Sequence, residues 1–140
     1  MDVAACAVGR LGALGDPWVG FAPTLDDGYA LVVGGSAEGS RTLTADPDDL
    51  LSLAIVYFED ELDEPPEELA ATHADIGSLV RHVAELEPDE DRRRLLNEAV
   101  DAVDDGLAAD TVVGRLSQCL GGGEDAAARI RRRAAEAFAV

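Results

Sequence analysis

Carboxylates are the residues dense enough in this chain to do chemistry. Between Glu59 and Glu68 stand Glu59, Asp60, Glu61, Asp63, Glu64, Glu67 and Glu68. Glu59 with Asp63, and Glu64 with Glu68, are four apart, which puts each pair on one face of a helix. Oxygen ligands of this kind suit Mg²⁺ or Ca²⁺. A dedicated site needs more than paired acids, and the chain has neither a DxDxDG loop with an acid at its twelfth position nor an HExxH element. We assign no metal site and no cofactor.

Nucleophilic chemistry is as poorly supplied. A triad needs Ser or Cys, a His and an acid brought together. The histidines are His73, inside the first turn of an expected helix, and His82, on the polar side of the same helix; being nine apart, they do not share a face. Cys6 and Cys119 have no CxxC spacing and read as free buried thiols rather than a long-range disulfide. No GxSxG is present. Gly34-Gly35 through Gly39 and Gly121–Gly123 lack the Gly-Lys-Ser/Thr of a phosphate cradle. No catalytic residue is assigned. Trp18, Phe21 and Tyr29 can form an aromatic binding face, but core packing of a small sheet accounts for them better.

Charge is the unusual property. The chain has 140 residues and a formal net charge of −18, well beyond the magnitude of about 2 to 8 that suits a small soluble domain. The charge is also local. Residues 1–45 hold five acids and two arginines, residues 46–91 sixteen acids and one arginine (Arg81), and residues 92–140 eight of each. A halophilic surface would be acidified throughout; here the middle third carries −15 of the −18. Such a chain lacks the cations that displace counterions from phosphate, so neither direct nucleic-acid binding nor an anionic membrane suits it. The basic cluster, Arg129 with Arg131–Arg133, is expected to meet the protein's own acids or those of a second copy in a homodimer.

The elements follow from periodicity and punctuation. Val3–Leu14 reads as a helix with an extended segment as the alternative, because Gly9 and Gly12 each weaken a helix by about 1 kcal/mol. Trp18–Leu25 and Tyr29–Val33, around Asp26-Asp27-Gly28, read as a β-hairpin, and Arg41–Ala45 as a third strand. Asp46 and Pro47 open a helix running to about Leu62, stopped by Pro65-Pro66. Thr72 with Asp75 forms a capping box ahead of Ile76, Leu79, Val80, Val83 and Leu86. Pro88–Asp104 is the next helix, ended by Gly106. Asp110 is expected to cap a helix through Leu116, and Glu124-Asp125 to open a last one through Ile130 and Ala134. The fold expected is α+β and helix-dominant, a hairpin or three-stranded sheet near the N-terminus followed by a four- to five-helix bundle. It forms a single domain, with a hairpin-containing region over 1–45 and a helical region over 46–140.

The function expected is that of a non-catalytic interaction module of the inhibitor, immunity, adaptor or chaperone type. Its acidic surface, Glu59, Asp60, Glu61, Asp63, Glu64, Glu67, Glu68, Glu85 and Glu87, would meet a basic protein partner. Two alternatives stand beside it. One is an acidic mimic of nucleic acid; the other is a small metal-dependent or ligand-binding enzyme with its site between the hairpin and the central helix. The N-terminus has no signal-peptide pattern and no window suits a membrane span, so the setting expected is the cytoplasm.

Overall fold

The computed structural model describes residues 6–10, 18–24, 28–35, 39–59, 70–106, 109–119 and 126–137. Strands β1 (Cys6–Arg10), β2 (Trp18–Pro23), β3 (Tyr29–Gly35) and β4 (Gly39–Thr44) form an antiparallel sheet in the order β1-β2-β3-β4. The hairpin of β2 and β3 pairs Trp18 with Gly34 at one end and Pro23 with Tyr29 at the other. Its turn is closed twice, since Thr24 donates its amide to the Gly28 carbonyl at 3.0 Å and Thr24 Oγ1 accepts from the Gly28 amide at 3.0 Å.

The sheet has four strands rather than three. The extra one is Cys6–Arg10, within a stretch whose sequence favours a helix over an extended segment. Gly20 explains why the strand prevails. A Cβ at Gly20 would lie 1.8 Å from the Cys6 carbonyl oxygen, so β1 approaches β2 more closely than any side chain allows. Pairing of that kind outweighs the weak local helix preference of a glycine-interrupted segment. A register shift between Ala7 and Gly9 lets Val8 join the core.

Cross-strand rows define the faces. Cys6, Phe21, Leu31 and Leu43 make one row across the sheet, with Val19 and Val33 beside it. This face packs into the hydrophobic core. Trp18 stands on the other face, where its ring would be 2.2–2.5 Å from a Cβ added at Gly34. Trp18 and Phe21 are an odd number of residues apart, so the pleat separates them. They form no joint aromatic surface.

Five helices follow: α1 (Pro47–Glu59), α2 (His73–Leu86), α3 (Glu90–Asp104), α4 (Ala109–Cys119) and α5 (Ala126–Ala137). The first is the centre of the molecule. Leu50, Leu51, Leu53, Ala54, Ile55 and Val56 are all buried, and α1 packs against β1, β3, α2, α4 and α5. Ser52, the one polar interruption of that run, is buried as well, and its hydroxyl donates to the Asp48 carbonyl one turn back at 2.8 Å. The helix is described as far as Glu59; its expected end near Leu62 lies outside the described residues.

The Thr72–Asp75 capping box forms as expected, with both reciprocal bonds present. Asp89 caps α3, and Gly106, at φ +72°, adopts the left-handed conformation that lets the chain leave that helix. Asp110 differs from expectation: it is the second residue of α4, not its cap. The buried cluster draws on β1, β2, β3 and every one of the five helices, with α3 packed against α2 and α4.

Candidate functional site

The expected acidic surface is placed in three ways. Glu59 is the exposed last residue of α1, and Glu85 is exposed on α2. Glu87 is turned inward at the α2–α3 junction, its side chain only 10 % exposed. There it lies 3.5 Å from Arg92 and accepts from the Asp89 amide at 3.1 Å. Asp60, Glu61, Asp63, Glu64, Glu67 and Glu68 lie outside the described residues. Among the described residues, Ala70 bridges to Ala7 in parallel, and the Ala71 amide donates to the Ala7 carbonyl at 2.9 Å.

The arginines of α5 meet the opposite end of α1. Asp49 is completely buried, and Arg129 Nε lies 2.8 Å from its Oδ1. Arg133 Nε lies 3.4 Å from Asp49 Oδ2 and the Arg133 guanidinium also donates to the Thr44 carbonyl. Asp49 Oδ2 accepts from the Asp46 amide at 3.0 Å, which is the reach-back half of a capping box. The expected contact of the α5 arginines with the protein's own acids is therefore made at Asp46 and Asp49. That end lies about 15 Å from Glu59, ten residues at roughly 1.5 Å each. The spacing of Arg129 and Arg133, four apart, marks them as one helix face; the burial of their partner has no mark in the sequence.

A second grouping was not visible in the sequence. A groove of about 310 Å³ runs between the β2–β3 turn and α2, lined by Pro23, Thr24, Gly28, Tyr29, Ser78, Arg81, His82 and Glu85. The ring of Tyr29 stands edge-on to His82, centroids 5.0 Å apart, and edge-on to Phe21 at 5.6 Å. The groove lies between residues flanking the hairpin turn and α2.

Three groups, Cys6, Tyr29 and Tyr57, are shifted above their ordinary values. Burial, followed by the charge of Asp75, pushes the Cys6 thiol above its ordinary value. Burial raises Tyr29, with Cys6, Asp75 and Glu85 adding to the effect. Burial and then Asp75 raise Tyr57. A thiol shifted upward is protonated at neutral pH and is a poor nucleophile. Cys6 is free and half-buried. Among the described residues, no three His, Cys, Asp or Glu side chains are grouped so as to hold a metal ion. No helix among them is long and apolar enough to cross a membrane.

No family model, no curated protein and no solved structure matches the chain.

Proposed function

We propose that the protein is a non-catalytic interaction module that binds a basic protein partner through the acidic segment beginning at Glu59. The observation that carries this reading is the division of charge along α1. Its N-terminal end, with Asp46 and Asp49, is met by Arg129 and Arg133. Its C-terminal end has no basic residue in the last turn and runs into Glu59, Asp60, Glu61, Asp63 and Glu64. The C-terminus of a helix is its negative pole, and cations stabilise it there by about 0.3–1 kcal/mol each. The acids that follow this negative pole in the sequence are a natural counterpart for a basic partner. Glu85 is exposed near the end of α2, while Glu87 serves the α2–α3 junction, where Arg92 also lies 3.9 Å from Asp48.

The module is of the inhibitor, immunity, adaptor or chaperone type, its partner is a basic protein, and the setting proposed is cytoplasmic, in keeping with the free thiol of Cys6. The test is capture of partners from a lysate at low salt, repeated at rising ionic strength. Capture should fall steeply between about 50 mM and about 500 mM, over which the screening length shrinks several-fold. It should also be lost when Asp60, Glu61, Asp63 and Glu64 are changed to their amides. A partner held equally at both salt concentrations, or held equally by the neutralised variant, would overturn the reading.

A further inference from the structure

The two edges of the sheet are finished differently. Along β1, Ala70 bridges to Ala7 and the Ala71 amide donates to the Ala7 carbonyl. Beyond β4 no strand lies among the described residues, and Arg41, Thr42 and Thr44 are all exposed. Alternation along the strands fixes where the main chain of β4 points. The Thr24 amide donates to the Gly28 carbonyl, so Ala30 and Val32 bond to β2 while Leu31 and Val33 bond to β4. Their partners Leu43 and Arg41 therefore bond to β3. That leaves the N–H and C=O groups of Thr42 and Thr44 pointing out of the sheet, and the Thr44 carbonyl accepts from the Arg133 guanidinium.

We infer that Arg41 keeps this edge from pairing with the same edge of a second copy. An exposed strand with outward N–H and C=O groups is a template for another strand, and β4 is six residues long. Arg41 stands opposite Val33, and Val33 opposite Val19, both of them fully buried, so its side chain leaves the sheet on the core side. Leu43, on the same side, packs against the core, whereas Arg41 is exposed. A second β4 laid antiparallel along the first would have to cover it. In the register centred on Arg41, two guanidinium groups would stand directly opposite each other, and like charges so placed are destabilising. In registers centred on Thr42 or Leu43, each guanidinium would be pressed against Leu43 or Ala45 of the other copy. Taking a guanidinium out of water against an apolar side chain is costly.

The experiment is sedimentation velocity of the full chain and its variants, over a range of protein concentrations, at about 50 mM and about 500 mM salt. The higher salt shortens the screening length to about 4 Å, so repulsion between two chains of −18 no longer keeps them apart. The native protein should stay monomeric at both, and so should Arg41→Lys, which keeps a charge at the edge. Arg41→Thr should sediment at twice the monomer mass at the higher salt, increasingly so with concentration, although the substitution makes the chain more negative. Adding Thr42→Pro to Arg41→Thr removes an outward N–H and should restore the monomer. Arg41 and Thr42 are both exposed, so far-ultraviolet circular dichroism of the variants should match that of the native protein. A native protein that dimerises at the higher salt would overturn the inference. So would Arg41→Thr remaining monomeric at every concentration, Arg41→Lys associating as Arg41→Thr does, or association that survives Thr42→Pro.

Discussion

Arg129 Nε lies 2.8 Å from Asp49 Oδ1, joining residues eighty apart in sequence, and Asp49 has no exposed surface while Arg129 keeps 16 %. This pair, with Arg133, fastens the last helix to the first turn of the central one. Burying charges costs several kcal/mol per ion, and only close pairing offsets it. Removing one member leaves an uncompensated charge, so Asp49→Ala is expected to destabilise the fold by about 3–5 kcal/mol. Arg129→Met should cost less, because Arg133 and the Asp46 amide still face the carboxylate. The double variant should lose less than the sum of the two single ones. Urea denaturation of the three proteins measures this, and an additive result would show that the pair is not coupled.

The sheet makes a second demand that can be checked. At Gly20 a methyl group would meet backbone, 1.8 Å from the Cys6 carbonyl oxygen; at Gly34 it would meet the Trp18 ring, 2.2 Å away at the nearest atom. A ring at the edge of a strand can rotate, and a paired strand cannot. Gly34→Ala is expected to cost about 1–3 kcal/mol, the usual range for overpacking, and to shift the tryptophan fluorescence. Gly20→Ala should cost more than Gly34→Ala and should disturb β1. Thermal melts in which Gly34→Ala proves the more damaging would contradict the close approach of β1 to β2.

Alkaline pH should unsettle the fold before acid-linked groups matter. Cys6, Tyr29 and Tyr57 are all raised above their ordinary values, with burial the largest cause for each. In the unfolded chain these groups ionise first, the thiol near about 8.5 and the phenols near about 10. Between the unfolded and the folded values the native state holds more protons, so its stability falls as pH rises. Their contribution is complete below about pH 8.5 and is lost progressively above it. Urea midpoints measured from pH 7 to pH 10.5 should be flat at first and then decline. Cys6→Ser should flatten the early part of the decline and Tyr29→Phe the later part. A midpoint that rises above pH 9 would contradict the direction of all three shifts.

Legibility differed from element to element for identifiable reasons. The α1 run was readable because Asp46-Pro47 carries its own start signal ahead of a long apolar run. The α2 start was readable because the capping box is local to Thr72 and Asp75. Cys6–Arg10 was harder: its strand character comes from a partner at Trp18–Phe21 that no local rule names. Glu87 looked like surface acid because its neighbours are acids, yet the helix junction and Arg92 turn it inward. The groove at Tyr29 and His82 was invisible, since the two residues are 53 positions apart and nothing local brings α2 to the hairpin turn.

By itself, the sequence determined the quantities that depend on neighbours along the chain. These are the helix starts, the hairpin, the apolar core run of α1 and the concentration of acid between Asp46 and Asp91. Only the tertiary structure decided which charges are spent inside the fold. Asp48 and Asp49 are adjacent and chemically alike, yet one carboxylate stays partly in water and the other lies wholly out of it against Arg129. Charge in a sequence has only a sign. Its consequence depends on distance and on the surrounding medium, and both are settled when α5 packs on α1.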